Sequence, residues 1–121
     1  MTTAVTDQIE DYHVHVYYDA ASKPRAEALR SKLEAAFPSA QYGRWHDNPV
    51  GPHPEGSYQV HFATELFPKI VPFLAIERDG LTVLVHPNTG KDLEDHRDYA
   101  LWMGSMPDLK LSIFDKEKDK S

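Results

Sequence analysis

The sequence contains no cysteine. That excludes disulfides, thiolate zinc sites and a cysteine nucleophile, and it leaves the cytoplasm as the expected compartment. Long apolar runs are missing too. None approaches the ~20 residues of a membrane span, so no membrane partner is expected. The opening Met1-Thr2-Thr3-Ala4-Val5-Thr6-Asp7 has neither a basic segment nor an apolar stretch, and a secretory signal is not expected. Basic residues are in the minority, 13 Lys and Arg against 19 Asp and Glu, for a net charge of -6. Nucleic-acid binders draw affinity from clustered Lys and Arg, so no nucleic-acid partner is expected either. A Gly-x-Ser-x-Gly elbow and a phosphate-cradling glycine loop are both absent, which argues against a serine hydrolase and a nucleotide enzyme.

The 121 residues are 40% hydrophobic and 26% charged, a size and composition that suit one domain spanning 1–121. Its folded core is expected over residues 11–114, followed by a solvated tail of alternating charge over 115–121. Strict alternation of β-branched and aromatic residues predicts a strand over 12–18. Ser22 as N-cap, Pro24 in the first turn and the stripe Ala26, Leu29, Leu33 and Ala36 predict a helix that ends before Pro38. A second strand is expected over 40–46, then a loop over 47–56 with three prolines and two glycines, then a third strand over 57–63. Thr64 caps an expected helix over 65–78, with Leu66, Ile70, Phe73, Leu74 and Ile76 as its apolar face and Pro72 as a kink. A fourth strand over 81–85 runs into His86-Pro87. A helix over 93–103, closed by Gly104, and an edge strand over 109–114 complete the chain. The order is the α+β, ferredoxin-like βαββαβ pattern: a four-stranded antiparallel sheet with helices on one face, the other face bare, and a C-terminal extension. Such a sheet favours a homodimer formed through its bare face or its edge.

Seven histidines are the unusual content. On the first strand, His13 and His15 share a face with Tyr17, opposite Val14 and Val16, which suit the helix-covered side. Positions i and i+2 lie about 7 Å apart at Cα, and both imidazoles can reach one ion at about 2.0–2.1 Å. The alternative is a pair of half-exposed strand histidines bonded to neighbours. His53 is stiffened by Pro52 and Pro54, as a ligand would be and as an ordinary turn would be. His86 is placed at a strand end, where its side chain can lean over the sheet rim. Asp95 can orient the imidazole of His96, or the two belong to a solvated helix face. His46 and His61 have no special surroundings and are the weaker ligand candidates. Together these segments converge on one sheet face and point to a mononuclear metal site, for which imidazole suits Fe, Zn, Cu and Ni.

Four stretches carry a resemblance: Tyr12-His13-Val14-His15-Val16-Tyr17; Pro49-Val50-Gly51-Pro52-His53-Pro54; Leu84-Val85-His86-Pro87-Asn88-Thr89-Gly90; and Asp95-His96 through Ala100-Leu101-Trp102-Met103-Gly104. In order and spacing, over residues 11–114, they resemble the DOPA 4,5-dioxygenase family. The resemblance implies extradiol cleavage of a catechol such as DOPA by non-haem Fe(II) and O2, with zinc or nickel as occupants of a purified sample. It implies metal ligands at His15, His53 and His86, and acid/base or supporting roles for His13 and His96. Three-histidine ligation and a site that recruits Asp95 or Glu55 both remain open. Arg44 and Arg97 are candidates to pair with a substrate carboxylate, and Tyr17 and Trp102 either flank the ring or belong to the core. Two other functions stand beside the dioxygenase: a non-catalytic module that holds a metal or a small aromatic ligand, and a zinc-dependent hydrolase or isomerase.

Overall fold

The structure is a computed structural model that describes residues 5–115; residues 1–4 and all of the charged tail beyond Asp115 lie outside the described residues. The elements in order are β1 (Asp11–Tyr18), α1 (Lys23–Ala36), β2 (Gln41–Tyr42), β3 (Gly56–Ala63), α2 (Phe67–Glu77), β4 (Val83–Asn88), α3 (Asp92–Arg97) and β5 (Leu101–Met103). Short 3-10 turns lie at Val5–Gln8, Thr64–Leu66 and Leu111–Phe114. All strands join one antiparallel sheet in the order β2-β3-β1-β4-β5. The first four strands and two helices follow the ferredoxin-like βαββαβ path.

The alternation of β1 decides which side is dry. Tyr12, Val14, Val16 and Tyr18 face the helices, joined by Tyr58, Val60 and Phe62 of β3 and by Val83 and Val85 of β4. Against them α1 sets Ala26, Leu29 and Leu33, and α2 sets Ile70 and Leu74. Each of the larger aliphatic side chains contributes about 1.5–3 kcal/mol by burial. This core fixes β1 and β4 in register with His13 opposite His86.

Several expectations are corrected. The ladder of β2 covers only Gln41–Tyr42; the chain then bulges, and His46 returns as an isolated bridge to Ser57. A Cβ at Gly43 would lie 3.3 Å from the Gln59 carbonyl, and the bulge lets Trp45 pack on Tyr58 with ring centroids 4.7 Å apart. Ser22 holds the N-cap position of α1, yet its hydroxyl turns back to the Asp19 carboxylate instead of capping the helix. Ala36 is exposed, and Phe37 completes the α1 stripe in its place. Thr64 caps nothing either, because a 3-10 turn leads into α2. Ile76 is 81% exposed, two residues beyond Leu74 and so on the far side of α2.

The C-terminal third differs most. α3 ends at Arg97, where the N–H groups of Asp98 and Tyr99 both donate to the Glu94 carbonyl. Leu101-Trp102-Met103, side chains that favour a pleated surface, then pair with β4 as a fifth strand. The strand expected over 109–114 is a 3-10 turn, because the Lys110 N–H is directed to the Pro52 carbonyl at 2.8 Å rather than to a sheet edge. β4 itself runs to Asn88, which places His86 inside the strand.

Candidate metal centre

The face opposite the helices carries Tyr17, His15 and His13 from β1, Gln59 and His61 from β3, Leu84 and His86 from β4, and Trp102 from β5. It was expected to be bare and is not. The proline-rich loop folds over it and sets the His53 ring against His15, with centroids 4.2 Å apart. From the other side α3 brings the His96 ring to 4.1 Å from that of His86, and Phe114 covers His96 at 4.8 Å. The Lys110–Pro52 hydrogen bond pins one cover to the other. His15, His53 and His86 are consequently 5%, 6% and 1% exposed. The physical reason lies beside them: Tyr17 and Leu84 are large and apolar on this face and are buried by the same covers.

Five histidines therefore share one cluster. The ligating nitrogens of His13, His15 and His86 all lie within 4.8 Å of one another. Nε2 of His15 and Nε2 of His86 are 3.1 Å apart. Two nitrogens at about 2.1 Å from one ion are separated by about 3.0–3.4 Å at octahedral to tetrahedral angles, so this pair has the spacing of adjacent ligands. A carbonyl oxygen only accepts. The His86 Nδ1–H therefore donates to the Pro87 carbonyl at 3.0 Å and leaves Nε2 with its lone pair facing His15. His96 is fixed in the same way, its Nδ1–H donating to the Asp92 carbonyl at 2.7 Å.

Burial favours the neutral form of His13, His15, His53 and His86, the form that binds a metal. It pushes His86 down to about 3 and His53 down to about 4, with the neighbouring imidazoles adding to the effect. His15 is pushed far below the ordinary histidine value by burial and by His53 and His86, and His13 is lowered by burial and by His61. The donor set thus fits a borderline transition-metal ion bound by imidazole.

His53 has a partner of its own: its Nδ1 is 2.5 Å from the Tyr17 hydroxyl, while the three rings whose nitrogens lie within 4.8 Å of one another are His13, His15 and His86. Burial, with Glu55 adding to it, pushes the Tyr17 phenol well above its usual range, so the hydroxyl keeps its proton. Asp95 touches no histidine; its buried carboxylate accepts from the Thr89 N–H at 3.0 Å and the Thr89 hydroxyl at 2.7 Å. Glu55 is exposed. Arg97 pairs with its neighbour Asp98 at 2.9 Å, and Arg44 is exposed in the bulge after β2. Trp102 stacks on Tyr17 at 6.0 Å. His61, set aside in the sequence, sits across from His13 and bonds Asp11 at 2.7 Å, while Asn88 donates to the same carboxylate at 2.6 Å. That string was detectable from the alternation of Ser57, Gln59 and His61 on β3.

Fold and cluster define a class: a ferredoxin-like α+β protein with a histidine-rich centre suited to a metal. The chain belongs to the Dopa 4,5-dioxygenase family, which it matches over residues 12–113. It is 30% identical to the DOPA 4,5-dioxygenase of Amanita muscaria, over 99% of this chain and 56% of that protein. It is 34% identical to an uncharacterized 21.2 kDa protein of Botryotinia fuckeliana, over 90% of this chain and 66% of that one. The chain therefore spans less than two thirds of either curated relative. A crystal structure from Nostoc punctiforme, of a protein provisionally named as a dioxygenase, superposes with a TM-score of 0.91 at 44% identity, over 95% of this chain and 99% of that one.

Proposed function

We propose that the chain is an extradiol dioxygenase that opens a catechol ring with non-haem Fe(II) and O2. The observation that carries this reading is the His15–His86 pair, two neutral imidazole nitrogens 3.1 Å apart in a covered pocket. His13, His15 and His86 would hold the ion. Fe(II), when bound, supplies adjacent positions for a chelating catechol and for dioxygen.

The chain's own part is proton handling and exclusion of water. His96 presents Nε2 beside His86, because its Nδ1–H is committed to the Asp92 carbonyl, and it is the group that accepts a catechol proton. His53 is held by Tyr17 on the opposite flank, where it orients the ring and carries a hydrogen bond toward it. The loop and the C-terminal segment close over both. A homodimer formed through a sheet edge or around this face belongs to the same proposal, and light scattering that gives a monomer at micromolar concentration would remove it.

The test is anaerobic loading with Fe(II), addition of catechol, then air. A yellow ring-cleavage product formed with matching oxygen uptake is the expected result. Stoichiometric metal binding without oxygen uptake would favour the binding module, and ester or amide cleavage by the zinc-loaded protein would favour the hydrolase.

A further inference from the structure

We infer that a cavity on the helix-facing side of the sheet, behind the histidine cluster, is a second ligand site, one that takes a small neutral aromatic molecule bearing an acceptor oxygen. It lies on the opposite side of β4 from the histidines, so the inference goes beyond the ring-cleavage reading and does not depend on it.

The cavity holds about 290 Å³, close to the lower end of the volumes that take small ligands. The sheet dictates where it lies. Tyr12 and Pro87 are paired across β1 and β4 and point away from His13 and His86, which puts both on the side of the helices. Leu101 pairs with Val85 and so shares that side, yet it is 43% exposed. Phe67, at the start of α2, lines the cavity with its ring centroid 4.7 Å from that of Tyr12, and Tyr99 lines it as well. Aromatic and aliphatic side chains therefore surround a space that the core leaves open.

Tyr12 marks the chemistry of the occupant. Its ring stacks on Phe62 at 5.5 Å and it is only 9% exposed, but among the described residues its hydroxyl makes no hydrogen bond. Every fully buried side-chain nitrogen or oxygen among those residues has a partner, so this oxygen still borders open space, and the space that Tyr12 lines is the cavity. Burial raises Tyr12 above the ordinary tyrosine value; the hydroxyl keeps its proton and is a donor to an oxygen that enters. Thr89 lines the same cavity, but its N–H and its hydroxyl are both committed to Asp95. Among the described residues, no Lys, Arg, Asp or Glu lines it. A charged molecule would lose hydration there without gaining a partner, whereas a ring gains contact with Phe67, Tyr99 and Leu101.

The experiment titrates acetophenone, toluene and benzoate into the full metal-free chain and follows backbone amide shifts by NMR. Acetophenone should bind with a Kd of about 1 mM or tighter, toluene more weakly, and benzoate at least about tenfold more weakly than acetophenone. The shifts should centre on Ile9, Phe67 and Leu101 and leave Gly51 and His53 unmoved. Tyr12→Phe should weaken acetophenone about fivefold, the order of one hydrogen bond, with toluene unchanged. Leu101→Trp fills the cavity from an exposed position and should block both compounds while the melting temperature holds. Shifts centred on His15 and His53, benzoate binding as well as acetophenone, or equal losses of acetophenone and toluene in Tyr12→Phe would overturn the inference. A protein that binds none of the three compounds overturns it too, and loss of self-association in Leu101→Trp would then give this face to a second copy of the chain.

Discussion

The hydroxyl of Tyr17 lies 2.5 Å from Nδ1 of His53, a bond that ties the proline-rich loop to the central strand. Two prolines limit the loop's freedom, but they do not set where the imidazole points; the phenol does. Tyr17 is itself only 2% exposed and stacks on Trp102, so the anchor is rigid. Tyr17→Phe keeps the ring and removes the partner. Metal content of the loaded protein should stay the same, turnover should fall about 10–100-fold, and stability should drop by about 1 kcal/mol. Metal analysis, oxygen uptake and urea melts of one preparation check the three parts. Loss of metal in this variant would instead make His53 a ligand.

The ligand set can be tested ring by ring. His13→Ala, His15→Ala and His86→Ala should each abolish stoichiometric Fe(II) binding. His53→Ala and His96→Ala should retain it, and His96→Ala should slow turnover about 10²–10⁴-fold, the usual contribution of a positioned proton-transfer group. Anaerobic metal titration followed by single-turnover kinetics separates the two classes. Retention of iron by His13→Ala together with its loss from His53→Ala would return the set to His15, His53 and His86.

Legibility in the sequence followed the range of the interactions. The alternation of Tyr12 to Tyr18 is local, so the strand, its dry side and the shared face of His13 and His15 could be read directly. The Ala26-Leu29-Leu33 stripe placed α1 for the same reason. Residues 93–103 could not be read this way, because Leu101-Trp102-Met103 become a strand only through pairing with β4. Ile76 matched the helical period loosely, and only the packing of Leu74 shows which side is buried. The cover over the metal face was invisible for a related reason: it depends on the Lys110–Pro52 bond, between residues far apart in the chain. The resemblance named the clustered histidines, while the roles of Tyr17 and Thr89 come from partners that no local pattern specifies.

Asp95 and Thr89 form the latch that sets α3 over the cluster. Two donors of Thr89 meet a carboxylate that is 1% exposed, and His96 is the next residue along the helix. Asp95→Ala leaves the Thr89 N–H without its partner and opens a small void, at a cost of about 2–3 kcal/mol. Thr89→Ala removes one bond only and should cost about 1 kcal/mol. In both variants iron should still bind, since no ligand is touched, while turnover falls because His96 is no longer held. Thermal melts and oxygen uptake check this. Normal turnover in Asp95→Ala would show that the latch does not position His96.

Acid should weaken the metal-free protein in a defined window. His86 is lowered to about 3 and His53 to about 4 in the folded state, both chiefly by burial, against about 6.5 when unfolded. Between those values the unfolded chain binds more protons than the folded one, so stability rises with pH. The contribution is complete above pH ~6.5 and is lost progressively as the pH falls toward the folded values. Each group accounts for at most about 1.4 kcal/mol per pH unit inside that window. A bound divalent metal competes with the same protons for the same nitrogens, so the loaded protein should release its ion on acidification and then follow the metal-free curve. Denaturant melts of the metal-free protein from pH 8 to pH 4, repeated with His53→Gln, measure the effect. The variant should show a shallower decline below pH 6.5, and an unchanged slope would mean that His53 is already free to take up a proton in the folded protein.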